Sequence, residues 1–436
     1  MLMALQFQFE QSQWWPTETL QQLQWRQIEA LLRHAYDHVP YYRRVLNNVG
    51  LNPTQPLTAD RLARLPLLHR DQIMTGSDEL TSKNVGREHG RHYLKSTSGS
   101  TGKPLQIKDT EANGLFWYAL TLRDHLWHGR DIGGRFVAIR SGRSAKDPHA
   151  VKDLKTWGPS SGRVYDTGPM TMFFHLTPIE RQAQLLQSRD PHYLLTYPSN
   201  AVSLARYFSD QNLKLPNLRQ VQTYGEPIGP EVRRACREAW GASVADMYSA
   251  EEVGYIALQC PQHEHYHVQA ESLMVEVLDD DDRPCAPGQI GRVVLTTLHN
   301  FAMPLIRYAN DDYAEVGEPC SCGRGLPVIK RILGRRRNMA VRPDQSRFWP
   351  SLPPQLLSTI PGVRQIQLCQ RTAQDVDVRV ASTQPLQDAD EQALSEMLRS
   401  AMGSELQFSF SRHDQIPRHA NGKLEPFICQ VVKTDS

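Results

Sequence analysis

The sequence predicts an α/β protein: a large N-terminal domain of mainly parallel sheets flanked by helices, followed by a small α+β domain. Three observations carry this. Through the middle of the chain, short apolar strands alternate with helical stretches, as in a parallel sheet. A dense basic stretch, "KRILGRRRN" (330–338), then breaks the composition. Beyond it the pattern changes to short α+β units. The boundary is placed at Gly334 and Arg335, giving domains 1–334 and 335–436.

The elements follow in order. "TETLQQLQWRQIEALLRHAYDHV" places Leu20, Leu23, Ile28, Leu31, Leu32 and Ala35 at helical spacing, with Thr17 as its cap and Pro40 as its stop. "HYLK" (92–95) and "PLQIK" (104–108) read as two strands joined by a polar tip. Strands are expected at 135–141, 192–197, 218–225 and 242–249, and "PEVRRACREAW" forms a helix entered through Pro230 between the last two. "SLMVEVLD" (272–279) and "GRVVLTTL" (291–298) are strands joined by the loop "DDDRPCAPGQ". "VRQIQLCQ" and "DVDVRVAS" are strands of the second domain, and "DADEQALSEMLRSAM" is its amphipathic helix.

Composition narrows the function. The 436 residues carry 49 basic and 47 acidic side chains, net +2, which provides no field for nucleic acid or an anionic membrane surface. No apolar run reaches membrane-spanning length and the N-terminus lacks a basic leader, so a cytoplasmic protein is expected. Seven cysteines, odd and sparse in a chain this long, are not a disulfide framework. Four residues form a set of their own: Cys260 with His267 in "CPQHEHYH", and Cys320 with Cys322 in "CSCG". Three thiolates and one imidazole suit a closed, structural Zn²⁺ site, with His263 and His265 as rival fourth ligands.

The chemistry is expected elsewhere. "KSTSGSTGKP" (95–104) packs hydroxyls, two glycines and a lysine into one tip, so its backbone N–H groups, the hydroxyls and Lys103 can converge on an anion. A solvated hairpin loop has the same composition. It is not a Walker A loop, because only Ser100 and Thr101 separate Gly99 from Gly102, and Pro104 follows Lys103. "TYGEPIG" (223–229) lies at a strand's carboxyl end, where α/β sheets bind ligands. "DMYSAEEVG" (246–254) adds Glu251 and Glu252, of the kind that hold Mg²⁺ beside a triphosphate. "PLIRYANDDY" (304–313) offers Arg307, Asp311 and Asp312, and "ANGKLEPF" (420–427) a lone Lys423. Singly, each of these is an ordinary surface feature.

In this order, "TSGSTGKP", "YGEPI", "YSAEE", "PLIRYANDD", "GRRRN" and "NGK" resemble the adenylate-forming superfamily of acyl-CoA synthetases and ligases, and most of all its phenylacetate–CoA ligase-like branch with the capsular polysaccharide locus relatives. "LRHAYDHVPYYRRVL" and "LPLLHRDQI" extend the resemblance over nearly the whole chain. It implies a mobile C-terminal domain and two-step chemistry: a carboxylic acid, aromatic in this branch, is activated by ATP and Mg²⁺ as acyl-adenylate, then passed to CoA with release of AMP. It also implies roles. Ser96, Thr97, Ser98, Gly99, Ser100, Thr101, Gly102 and Lys103 would hold the β- and γ-phosphates. Gly225, Glu226 and Pro227 would line the adenine, Tyr248 flank it, and Asp312 take the ribose hydroxyls, with Arg307 and Arg335 nearby. Glu252 would hold Mg²⁺, and Lys423 would bridge carboxylate and α-phosphate. Tyr197, Pro198, Phe173 and Phe174 could wall the acid pocket or simply pack the core. Two positions depart from the family pattern: Asp311 stands where Gly usually precedes the ribose Asp, and Pro343 where Gly often meets the acceptor thiol. Rival readings are an adenylating enzyme with an amine or carrier-protein acceptor, and a non-catalytic nucleotide binder. The assembly expected is a monomer or homodimer.

Overall fold

The computed structural model describes residues 1–97, 104–141, 147, 150–350, 353, 356, 360, 362–418 and 423–431. Its centre is a twelve-stranded sheet. From one edge the strands run Leu273–Leu278, Ile290–Thr297, Tyr308–Val316, Val328–Arg335, Tyr266–Val268, Gly254–Gln259, Ser243–Ala250, Gln220–Tyr224, Tyr193–Thr196, Phe136–Arg140, Met170–Phe174 and Lys152–Leu154. The five strands from Ser243–Ala250 to Met170–Phe174 are parallel, joined through helices Ile179–Arg189, Pro198–Asp210 and Pro230–Trp240.

Alternation along these strands decides which side is covered by what. Val137 and Ile139 face the three crossover helices, meeting Leu186, Leu204 and Phe208. Phe136 and Ala138 face the other way, onto Phe9, Leu120 and Trp157. This half has the expected architecture. The other half does not: from Ser243–Ala250 outward every pairing is antiparallel, so the sheet is mixed rather than mainly parallel. For the pairs that are consecutive in the chain the physical reason is connection length, since short loops join them and a parallel pair needs a crossover of a dozen or more residues; strand Tyr266–Val268 instead meets Val328–Arg335 from far along the chain.

Helix Thr17–His38 covers the antiparallel half, burying Leu20, Ile28, Leu31, Leu32 and Ala35. Thr17 does not cap it. Pro16 occupies the cap position, and the Thr17 hydroxyl donates to the Gly325 carbonyl at 2.9 Å.

The large sheet's last strand in chain order ends at Arg335, and a separate apolar core gathers residues from Ala340 onward. A four-stranded sheet, ordered Gln407–His413, Asp375–Ser382, Val363–Gln370, Phe427–Cys429, packs there against helix Asp388–Met402 through Leu394, Leu398 and Met402. A small hairpin pairs Ala340–Val341 with Arg347–Phe348. Among the described residues no helix is long and apolar enough to cross a membrane.

Candidate active site

The site collects at the carboxyl ends of the parallel strands. Strand Gln220–Tyr224 delivers the Gly225–Glu226–Pro227 loop, and its neighbour Ser243–Ala250 delivers Tyr248 and, past its end, Glu252. Strand Tyr308–Val316 brings Asp312 from the antiparallel half. A register shift opposite Arg292 and Val294 leaves three residues of that strand, 310 to 312, facing one of the partner. Such a bulge re-aims side chains. At its apex Asp311 has φ +67°, a conformation glycine adopts freely and Asp tolerates. Asp311 thus holds a left-handed turn that glycine would adopt without strain.

Asp312 sits in a dense network. Its Oδ2 accepts from the Tyr248 hydroxyl at 2.7 Å and from Asn310 Nδ2 at 2.8 Å, and Asn310 also donates to the Tyr248 oxygen at 3.0 Å. Arg335, directly across the ladder, lies 3.6 Å from Asp312 Oδ1. Glu252 accepts from the Tyr308 hydroxyl at 3.1 Å. Burial raises the Glu252 carboxyl, opposed in part by the Tyr308 hydroxyl and the Arg70 charge.

Lys423 comes from the C-terminal domain and lies against Gly225. A Cβ placed on Gly225 would stand 3.2 Å from Lys423 Cε and 3.4 Å from its Nζ, and 3.1 Å from the Tyr197 ring. With φ +78° and this close approach, position 225 requires glycine. Burial and then the Arg335 charge lower the Lys423 ammonium, while Asp312, Glu226 and Glu252 pull the other way. The structure thus brings Lys423, Arg335, Asp312, Glu252 and Gly225 into one electrostatic neighbourhood.

Glu226 turns away from the Asp312 network. Its carboxylate accepts from the Leu424 N–H at 2.7 Å and from the Ser199 N–H and hydroxyl at 2.9 and 3.1 Å. Pro227 packs at Gly334, where an added Cβ would lie 3.3 Å from Pro227 Cγ. Of the suggested pocket walls, Tyr197 stacks obliquely on Tyr224 with centroids 4.7 Å apart, beside Gly225. Phe173 is fully buried under the crossover helices and is a packing residue. Phe174 is half-buried at the strand's end, and Pro198 opens a helix.

Strands His92–Ser96 and Gln106–Thr110 form the expected hairpin. Ser96 ends its first strand, exposed, and Thr97 closes its mouth, its hydroxyl accepting from the Leu105 N–H at 2.9 Å. Ser98, Gly99, Ser100, Thr101, Gly102 and Lys103 lie outside the described residues. Arg70 reaches the Thr97 hydroxyl at 3.4 Å and acts electrostatically on Glu252, joining hairpin mouth and carboxylate. Nothing in the local spelling of "LPLLHRDQI" marks it, and only the pairing of Leu68 with the 307–309 backbone places it there.

Arg307 corrects an expectation. Its guanidinium is buried and donates to the carbonyls of Ala63 at 2.8 Å and Leu65 at 2.6 Å, with Glu276 at 3.4 Å. It anchors the N-terminal segment to the sheet, so its guanidinium does not stand beside Asp312 as expected.

Residues 354–430 match the model of the CapK C-terminal domain. The phenylacetate–coenzyme A ligase of Thermus thermophilus is 27% identical over 342 residues, 75% of this chain and 72% of that protein. The Escherichia coli phenylacetate–coenzyme A ligase is 25% identical over 345 residues, 74% and 73% of the two chains. About three quarters of the chain is thus similar to phenylacetate–CoA ligases. Its fold is that of the adenylate-forming enzymes: 2-hydroxyisobutyryl-CoA ligase, solved in the postadenylation state with R3-HIB-AMP, superposes with a TM-score of 0.77 over 97% of this chain and 92% of its own, at 19% identity.

This relative of the ligases also carries the Cys/His set as one cluster. The ligand atoms of Cys260, His267, Cys320 and Cys322 all lie within 4.8 Å of one another. Cys260 Sγ is 3.9 Å from Cys320 Sγ, and Cys322 Sγ is 3.4 Å from His267 Nε2. Tetrahedral zinc at a Zn–S distance of about 2.3 Å sets sulfur atoms roughly 3.8 Å apart, so the spacing fits the ion. His263 turns instead to the Ser321 hydroxyl at 3.0 Å. The cluster lies across strand Gly254–Gln259 from Glu252, roughly 20 Å away at about 3.4 Å per residue. Its loop ties down the N-terminus: Arg324 sits over Trp14 and Trp127, and a Cβ on Gly325 would lie 1.8 Å from the Trp15 carbonyl.

Proposed function

We propose that this protein is an AMP-forming acid–CoA ligase that activates an aryl carboxylic acid with MgATP. The observation that carries the reading is Lys423 of the C-terminal domain lying against Gly225 at the carboxyl ends of the parallel strands, beside Glu252 and Asp312. In the first step a carboxylate oxygen attacks the α-phosphorus and the bond to pyrophosphate breaks. Two anions must meet, and the Lys423 ammonium offsets the charge that gathers between them. Asp312, fixed by Tyr248 and Asn310, is set to accept the ribose hydroxyls. Glu252 would hold Mg²⁺, which would screen the phosphates; a buried carboxylate whose charge is only partly offset suits a cation. The hairpin mouth at Ser96 and Thr97, with Arg70, would face the outer phosphates. In the second step the thiol sulfur attacks the acyl carbon, AMP leaves, and the thiol proton passes to solvent.

The residues beyond Gly334 form the moving part in this reading, pivoting at "GRRRN" to exchange Lys423 for the hairpin Ala340–Phe348 at the site. Pro343 lies exposed in the turn of that hairpin and does not fill its core. A CoA thiol approaching beside this hairpin would not be blocked by a proline packed in its core. Tyr197 and Tyr224 suit a flat, apolar acid. The Cys260–His267–Cys320–Cys322 cluster would hold a structural zinc ion, since four protein ligands leave no position for substrate.

The test is incubation with MgATP, CoA and a panel of aryl acids, following acyl-CoA and AMP. Formation of both, dependent on one acid, supports the reading. Adenylate that persists with CoA but is consumed by an amine or a carrier-protein thiol would replace CoA as acceptor. ATP binding without turnover of any acid would leave a nucleotide-binding protein.

A further inference from the structure

We infer that Glu226 is a positioning residue for adenylate formation, a latch that holds Lys423 in place from the opposite domain. This rests on the ligase reading above, but the latch itself is visible without it. Glu226 stands in the loop after strand Gln220–Tyr224, next to the glycine against which Lys423 lies. Its side chain is only 5% exposed. One oxygen accepts the N–H of Leu424, the residue following Lys423, at 2.7 Å. The same oxygen accepts from the Ser199 hydroxyl at 3.1 Å, and the other from the Ser199 N–H at 2.9 Å, the first turn of helix Pro198–Asp210. Arg418, also of the C-terminal domain, donates to the Ser199 hydroxyl at 2.7 Å and lies 4.0 Å from the carboxylate.

The chemistry of this arrangement is specific. A buried carboxylate is costly unless paired and hydrogen-bonded. Here its hydrogen bonds are supplied partly by the large domain, through Ser199, and partly by the small one, through Leu424, with the Arg418 charge 4.0 Å away. The carboxylate is fully served only when the C-terminal domain is docked with Lys423 at Gly225. When that domain turns away for the second step, Glu226 and Arg418 separate and each regains water. The latch therefore favours the first half-reaction and releases in the second. Among the described residues the junction also has a hydrogen bond from Arg206 to the Arg364 carbonyl at 2.9 Å and a ring contact of Tyr313 with Trp349.

The experiment combines a double-mutant cycle with amide exchange. With phenylacetate as the acid probe, Glu226→Ala is expected to lower kcat for pyrophosphate release about 10- to 100-fold, the size of losing a charged hydrogen bond, with KM for MgATP changed less than about threefold. In a Lys423→Ala background the same change should cost less than about twofold, because Glu226 acts through Lys423. Glu226→Gln keeps an acceptor for the Leu424 N–H and should recover most of the rate. Full additivity, or a rise in KM for MgATP at unchanged kcat, would overturn the inference. Independently of turnover, the Leu424 amide should be protected from exchange in the wild-type protein and exchange at least about tenfold faster in Glu226→Ala. An unprotected Leu424 amide in the wild type would show that no latch exists, even if the protein makes acyl-CoA. A protected amide with no pyrophosphate from any acid would instead sink the ligase reading and leave the latch standing.

Discussion

The domain junction and the Cys/His cluster are built on opposite principles. At the junction the charges are unevenly served: burial raises the Glu252 and Glu226 carboxyls and lowers the Lys423 ammonium. Its parts come from two bodies, and Lys423 reaches it only across their interface. The cluster draws its four ligand atoms from within the large domain, on strands and a loop that are neighbours in the sheet. It also ties the N-terminal helices down through Arg324 and Gly325. Unevenly compensated charges shared between two domains suit a reaction. A closed set of soft ligands suits a staple.

Lys423→Ala should lower pyrophosphate release on the order of 10²- to 10³-fold while ATP binding, measured by calorimetry, stays near wild type. A mutant at wild-type rate would remove Lys423 from the chemistry. The cluster should behave in reverse. Purified without chelator, the protein should carry about one zinc per chain. Cys320→Ser should lose the metal and lower Tm by roughly 5–10 °C, at about 2–4 °C per kcal/mol, with the folded fraction still adenylating. Zinc-free protein of unchanged Tm would leave the cluster as reduced cysteines.

The pH dependence sharpens the junction side. Lys423 must be charged to act, and its ammonium is held below the 10.5 of an ordinary lysine, chiefly by burial. Activity should therefore be lost as pH rises through that lowered value, giving an alkaline limb below 10.5. In Lys423→Arg any residual activity should lack the limb, because a guanidinium stays charged. A limb that persists unchanged in Lys423→Arg would assign it to another group. The smallest effect is expected at Asp311→Gly. The substitution relieves a positive φ but frees the unfolded chain, so stability should move by less than about 1 kcal/mol in a denaturant melt. Pyrophosphate release should be unchanged; a large loss would give the Asp311 carboxylate a role in the site.

Local spelling carried much of this. Strands Val363–Gln370 and Asp375–Ser382 and helix Asp388–Met402 were legible residue for residue, because period and polarity agree along each. Tyr248, Glu252 and Asp312 were named together through the family resemblance, not through local spelling: Glu252 lies just past a strand's end, but Asp312 sits mid-strand at a bulge. Side-chain direction was not legible. Arg307 lies five residues before Asp312 yet serves Ala63 and Leu65, partners more than 240 positions away, because its positive φ and the docked N-terminal segment turn it inward. Glu226 reads as part of a nucleotide loop, but its closest backbone partner is 198 residues on. The antiparallel half of the sheet was hidden for a related reason: apolar strands are spelled alike in both directions, and only their connections tell them apart.

The central claim is that acid activation occurs where the C-terminal domain brings Lys423 to Gly225. The most direct measurement is exchange of labelled pyrophosphate into ATP by the wild-type protein, with Mg²⁺ and single aryl acids, in the absence of CoA. Exchange should require both the acid and Mg²⁺ and need no thiol, because the adenylate forms before the acceptor enters. Protein that binds ATP tightly but shows no exchange with any acid, or exchange only when CoA is present, would contradict it.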